Sequence, residues 1–320
     1  VTADWQKVVD SSGEFKRRQS SFRSWISKDL GAHFPPEKDR YHLYVSYACP
    51  WAHRALITRK LKGLESIITF SSVHWDLDSN GWRFVRRDEN VPGEFTLPDP
   101  IPGHEDFTHL RQIYFESDPE YEGRFTVPIL YDKKTKTIFD DLLPTKHREV
   151  HLYPESLRTQ IDEANVWIYD DINNGVYKSG FATTQEAHER NVLSLFKALD
   201  KAEAHLAAQQ DGPYYSGEHL TEIDIRLYPT IIRFDPVYVQ HFKCNIRDIR
   251  SGYPYLHKWM RNLYWSHDAF RDTTEFNHIK WHYTKSHTHI NPFSIAPVGP
   301  LPHILALDEE VRAVSAMQSN

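Results

Sequence analysis

The sequence predicts an α/β domain followed by an all-α domain, on three observations. Strand-like residues 41–47 lead through Cys49-Pro50 into a helical stretch and then a second strand, the order of a βαβ unit. Two more strand-like runs, 125–131 and 137–139, flank the polar turn Asp132-Lys133-Lys134-Thr135-Lys136, which is a hairpin signal. From about residue 155 the apolar residues recur at helical spacing.

Residues 1–40 are polar, with Trp5, Phe15, Phe22 and Trp25 scattered among charges. They read as an N-terminal extension packed through those aromatics and ended by Pro35-Pro36, because proline continues neither helix nor ladder. Tyr41-His42-Leu43-Tyr44-Val45-Ser46-Tyr47 is aromatic and β-branched, as strands are. Pro50 suits the first position of a helix, where its missing N–H costs nothing. That helix runs to Lys62 and stops at Gly63, a good residue just past a helix end. Trp51/Ala55, Ala52/Leu56 and Ile57/Leu61 are spaced to bury one side of it. Ile67–Ser71 is the second strand.

Residues 72–122 are aromatic and proline-bearing with weak periodicity, and read as an insertion inside a domain spanning 41–144. A linker near 140–154 leads to an all-helical domain at 155–272. Leu157, Ile161, Ala164 and Ile168 mark one helix face; Val192, Leu195, Phe196, Leu199, Ala202 and Leu206 mark another. Thr221-Glu222-Ile223-Asp224 resembles a capping box with Asp in place of the usual Glu. Leu256, Trp259, Met260 and Leu263 mark a further helix. Residues 273–320 read as a wrapping tail, rich in His and Pro and irregular as far as Leu307. No internal repeat or low-complexity tract is present.

Composition narrows the function classes. The chain has 320 residues, 40% hydrophobic and 26% charged, and a net charge of -6. The acidic balance argues against a general nucleic-acid binder, and Lys16-Arg17-Arg18 reads as a solvated face. No apolar run exceeds four residues, so no membrane span is expected. With 9 Trp, 17 Tyr and 17 Phe the chain is heavily aromatic, which suits a large core and a site that grips flat ligands. The first residues lack the apolar core of a secretory signal, and only 2 Cys are present, so the expectation is a reducing compartment, cytoplasmic, with mitochondria left open. No metal is expected: His278, His282, His287 and His289 cluster in sequence, but no H-E-x-x-H pattern accompanies them.

Cys49 carries the chemistry. A cysteine capping a helix faces unpaired backbone N–H groups and the positive end of the helix dipole, and both favour thiolate. Such positions pull a thiol from ~8.5 to roughly 3.5–7.5. The bland alternative is a buried, inert Cys. The motif Cys49-Pro50-Trp51-Ala52 has no second cysteine, so a mixed disulfide on Cys49 must be released by an external thiol. Cys244 resolves it only if the fold brings the two together. A soluble thiol cosubstrate follows, with glutathione the obvious candidate.

At this point the residues resemble a family. The order strand, Cys-Pro, helix, then Thr126-Val127-Pro128 before a hairpin, then helices, is that of omega-like, cysteine-type glutathione transferases. Tyr47–Arg54, Asn80-Gly81-Trp82, Ile172–Ala182, Leu220–Arg226, Arg233–Tyr238 and His278–Tyr283 are similar to the glutathionyl-hydroquinone reductases, the xi class. The resemblance covers nearly all of 20–300. It implies a thioredoxin-like N-terminal domain and an all-helical glutathione-transferase C-terminal domain. It implies glutathione as cosubstrate, aromatic quinol conjugates as partners, and a homodimer. It places Thr126, Val127 and Pro128 on the cis-proline strand that pairs with the cysteinyl part of glutathione, and Trp82 over glutathione. By the same resemblance Arg124 is the candidate to pair with a glutathione carboxylate, with Arg86 and Arg87 as weaker candidates. Tyr177 and Tyr283 line the quinol pocket, one of them donating a proton. The mechanism the resemblance implies is attack of Cys49 on the sulfur of a glutathionyl-hydroquinone, then attack of a second glutathione on the mixed disulfide, releasing oxidised glutathione.

One departure from the family pattern stands out. Relatives carry an Asn-Glu-Ser segment after the second hairpin strand, opening a helix that binds the γ-glutamyl group, in keeping with the affinity of helix N-termini for carboxylates. Here Ile138 runs straight into Phe139-Asp140-Asp141-Leu142-Leu143-Pro144. By comparison with the family pattern about a dozen residues are absent between Ile138 and Phe139: either a segment lies outside this numbering or the chain is a shortened variant, and a shortened site leaves open a second reading, a ligandin-like carrier of hydrophobic aromatics.

Overall fold

The computed structural model of the protein describes residues 9–17, 22–139, 151–209 and 211–309. In chain order the elements are β1 (Tyr41–Val45), α1 (Pro50–Leu61), β2 (Thr69–Ser72), β3 (Leu77–Asp78), β4 (Gly81–Trp82), α2 (Arg111–Ser117), β5 (Ile129–Asp132), β6 (Thr137–Phe139), α3 (Arg158–Trp167), α4 (Gly175–Gly180), α5 (Gln185–Ala208), α6 (Glu222–Arg233), α7 (Val239–His241), α8 (Ile249–Gly252), α9 (Pro254–Ser266), α10 (Asp268–Arg271) and α11 (Phe276–Ser286). They fall into two units. Of the described residues, the first takes 17, 22–139 and 272–296; the second takes 9–16, 151–209, 211–271 and 297–309. Among the described residues no helix is long and apolar enough to cross a membrane.

The first unit is built on a four-stranded sheet in the order β2-β1-β5-β6. β1 and β2 are parallel, joined through α1 as a βαβ unit, and β1 pairs antiparallel with β5. All five residues of β1 are buried, as a central strand covered on both faces requires. Gly63 has φ +60°, the left-handed conformation that lets the chain leave α1 without a Cβ penalty. The hairpin turn is held by Asp132, which is fully buried. It accepts the Lys134 N–H at 2.9 Å, and Arg40 clamps it through two bonds of 2.9 and 2.6 Å.

Residues 72–122 are more than an insertion. They hold the β3–β4 ribbon, paired Leu77 to Trp82, and α2. α2 spans 7 residues and buries Ile113 and Tyr114, too few turns to leave a periodic signature. A buried polar network ties this region to the sheet. His104 lies 2.9 Å from Asp99 and 3.2 Å from Glu116; Tyr44 donates to Asp99 at 2.8 Å and Tyr131 to Glu116 at 2.6 Å. Burial works against the imidazolium, but the two carboxylates outweigh it and hold the His104 pKa above its ordinary value. A raised folded pKa gives stability fully present below the unfolded value of ~6.5 and lost as pH rises through the folded one. His104→Gln is therefore expected to lower the urea midpoint more at pH 6 than at pH 9. An equal loss at both would show that the pair is neutral throughout.

The C-terminal region differs from the irregular tail expected. Residues 276–286 form α11, opened by Glu275, whose carboxylate accepts the Asn277 N–H at 3.0 Å. α11 belongs to the first unit. Ser286 accepts the Leu77 N–H at 3.1 Å, and just before the helix Thr273 bonds His53 of α1 at 3.0 Å. Its buried residues include His278, Ile279, His282 and Tyr283, a helical stripe that hydropathy misses because polar aromatics carry most of it.

The second unit is helical. α5 runs for 24 residues, with the Thr184 hydroxyl accepting the Ala187 N–H at 3.2 Å as cap. Its buried residues include Val192, Leu195, Phe196, Leu199, Ala202 and Leu206. π-helical turns follow α3 at Ile168–Asn173 and α6 at Phe234–Tyr238. Of the aromatics expected to anchor the extension, Phe15 is buried in this unit and Phe22 packs on Tyr114 and Tyr121 in the first. Trp25 is 53% exposed and anchors nothing by burial; Trp5 lies outside the described residues.

Candidate functional site

Cys49 is the N-cap of α1, with extended backbone (φ −79°, ψ 119°) and Pro50 at the first helical position. The cap arises because the Cys49 carbonyl accepts the His53 N–H at 3.0 Å while Cys49's own N–H bonds back to Ser46. The thiol is half-buried and makes no capping bond to the first turn. Instead Sγ donates to the Val127 carbonyl at 3.3 Å. Val127-Pro128 is a cis peptide bond. The sequence-predicted nucleophile and the Thr126-Val127-Pro128 segment are thus in direct contact.

Thr126 is held by Tyr114 of α2. The Tyr114 hydroxyl donates to the Thr126 carbonyl at 2.9 Å and accepts the Thr126 N–H at 3.2 Å. Among the described residues no acceptor lies against the Val127 N–H, though Val127 is only 5% exposed. The backbone therefore offers a buried donor beside the thiol. Arg124, two residues upstream, is exposed, and its carbonyl takes the Tyr121 hydroxyl at 2.9 Å. Arg86 pairs with Glu89 at 2.8 Å, and Arg87 is exposed.

Trp82 and Tyr283 meet through one residue. The His282 ring stacks on Trp82 at 4.7 Å and meets Tyr283 edge-on at 5.3 Å. His282 Nδ1 lies 2.9 Å from the Trp75 carbonyl, which fixes the ring. Trp82 is 7% exposed and Tyr283 1%, so both side chains are packed rather than open. Among the described residues no three of His, Cys, Asp and Glu converge as metal ligands. His278 is instead against the Pro92 carbonyl at 2.6 Å.

Tyr177 belongs to the second unit. It packs on Phe15 at 6.2 Å and on Phe242 at 5.6 Å, inside an aromatic cluster that also takes in Phe181 and Tyr238. Gly180 permits this packing: a Cβ there would come 2.1 Å from the Phe242 ring. Behind the cluster Cys244 is fully buried, and burial pushes its thiol far above the usual range. It is an inert core residue in this structure, with no thiolate to offer. The Asp140–Pro144 stretch, where the family pattern departs, lies outside the described residues.

Sequence reasoning missed Tyr114 and His282. Tyr114 sat in a stretch with no periodicity, and its role is a hydroxyl bond to backbone, which no motif encodes. In the sequence His282 suggests a metal ligand, whereas in the structure its ring stacks on Trp82.

Comparison with known proteins places this geometry. Residues 48–142 match the glutathione S-transferase N-terminal domain, and residues 185–262 match the glutathione S-transferase C-terminal domain. The chain is similar to glutathionyl-hydroquinone reductase YqjG of Escherichia coli, 44% identical over 317 residues, covering 92% of each chain. It is similar to the solved glutathione-S-transferase Xi of Phanerochaete chrysosporium, with TM-score 0.86 and 52% identity over 94% of this chain and 97% of that one. It is also similar to the xi glutathione transferase ECM4 of Saccharomyces cerevisiae, solved in complex with glutathione, with TM-score 0.82 and 45% identity over 93% of this chain and 100% of that one. A helix-capping cysteine set against a cis-proline segment, a thioredoxin-like unit and a helical unit together agree with these likenesses: the chain belongs to the omega-like, xi-class glutathione transferases.

Proposed function

We propose that this protein is a glutathione-dependent reductase of S-glutathionyl-hydroquinones, with Cys49 as nucleophile. The observation that carries the reading is a helix-capping cysteine, set against the Val127 carbonyl, in a motif whose fourth residue is Ala52. The helix dipole favours the thiolate, and a motif without a second thiol favours a monothiol cycle. The names of similar proteins, a glutathionyl-hydroquinone reductase and a glutathione complex, support the same substrates.

The Cys49 thiolate attacks the sulfur of the conjugate. The carbon–sulfur bond breaks, its electron pair stays on the ring carbon, and that carbon takes a proton from the Tyr177 or Tyr283 phenol. Cys49 is left in a disulfide with glutathione. A second glutathione thiolate attacks this disulfide, oxidised glutathione leaves, and the Cys49 thiolate returns. Val127 N–H, with Thr126 and Pro128 beside it, binds the cysteinyl part of glutathione; Trp82 packs on the tripeptide; Arg124 pairs with a carboxylate. A homodimer in the cytoplasm goes with the same reading. The test is turnover of a synthetic glutathionyl-hydroquinone with glutathione, followed as hydroquinone release. Release at a rate dependent on both substrates is expected; binding of the conjugate without release would favour the carrier reading.

A further inference from the structure

We infer that Tyr114 is a positioning residue for glutathione, acting through the Val127 amide. The inference rests on the proposed glutathione site. The Thr126 carbonyl and the Val127 N–H belong to one planar peptide unit and point in opposite directions. Fixing the carbonyl therefore aims the N–H. The Tyr114 hydroxyl fixes it at 2.9 Å, and also takes the Thr126 N–H at 3.2 Å, so a single side-chain oxygen holds Thr126 from both sides. It stands where a neighbouring strand would otherwise supply both partners.

A second consequence is electronic. A hydrogen bond accepted by a carbonyl polarises its own amide, and the opposite N–H becomes a better donor. That N–H is the buried group with no acceptor among the described residues. Such a donor costs free energy until a ligand carbonyl reaches it. Tyr114 can do this reliably because it cannot move: it is fully buried and packed on Phe22 at 5.9 Å, Tyr121 at 4.9 Å and Phe125 at 5.4 Å.

Tyr114→Phe keeps that packing and deletes the hydroxyl. The expected result is a KM for glutathione raised roughly three- to tenfold with kcat nearly unchanged, the range of one neutral hydrogen bond. The affinity for S-methylglutathione, which forms no disulfide, is expected to fall by the same factor. In wild-type protein the Val127 amide proton is expected to move downfield on titration with S-methylglutathione, a readout that needs no variant. Equal affinity of Tyr114→Phe and wild type, or a Val127 amide that does not shift, overturns the inference while the glutathione site stands. Failure of S-methylglutathione to bind wild type overturns both.

Discussion

Cys49→Ser is expected to lose at least roughly 10³-fold in turnover of glutathionyl-hydroquinones, the scale on which deleting a covalent nucleophile is felt. The loss is chemical. An alcohol at this position is not ionised at neutral pH, and an oxygen nucleophile cannot form the mixed disulfide on which the cycle depends. The fold should be untouched. Position 49 caps α1, and Ser is among the preferred capping residues, so the variant is expected to be at least as stable as wild type. Its hydroxyl keeps a donor for the Val127 carbonyl that Sγ now uses. Intact-mass measurement separates the possibilities. Wild type exposed to the conjugate should gain one glutathionyl group, removed by excess thiol, and Cys49→Ser should gain none. Cys244 offers no second site, since it is fully buried with its thiol pushed up. An adduct on Cys49→Ser, or a variant that still turns over, would remove Cys49 from the mechanism.

What could be read in advance divides by physical cause. The Cys49-Pro50 cap, the end of α1 at Gly63 and the hairpin around Asp132 were legible because each depends on local backbone chemistry. The apolar face of α5 was legible because 24 residues give the helical period room to repeat. α2 was not, since two turns bury only Ile113 and Tyr114. α11 was not, because His278, His282 and Tyr283 do the work usually given to aliphatic residues. The same limit applies to the site. Residue types point to Cys49 and to Val127-Pro128, but the Tyr114 bond to Thr126 joins α2 to the segment ahead of β5 by a side chain reaching backbone. The stacking of Trp82 on His282 is another contact that no motif encodes. Only coordinates reveal partners of that kind.

Asp224→Ala is expected to be the most destabilising single change among those considered. Asp224 is the third residue of α6 and is fully buried. One carboxylate oxygen accepts the Thr221 N–H at 2.8 Å and the Thr221 hydroxyl at 3.2 Å. The other accepts the Tyr215 N–H at 2.8 Å and the Trp259 indole N–H at 2.9 Å. A single side chain therefore ties the loop before α6, the start of α6 and α9 together. Burial pushes its carboxyl above the usual range, against the donors that pull it down. Alanine leaves those donors buried without an acceptor, at about 1–3 kcal/mol each. A net loss of at least ~3 kcal/mol is a large share of the ~5–15 kcal/mol that holds a domain together. Thr221→Ala is the contrast. It deletes one hydroxyl and leaves the backbone bond to Asp224, so the expected cost is about 1 kcal/mol, that of a lost cap. Urea midpoints of the two variants should fall in that order, while alkylation of Cys49 in the folded protein keeps its wild-type rate, since Cys49 belongs to the other unit. Equal midpoints would mean that Asp224 serves only as a helix cap, and that its bonds to Tyr215 and Trp259 add nothing to the stability of the helical unit.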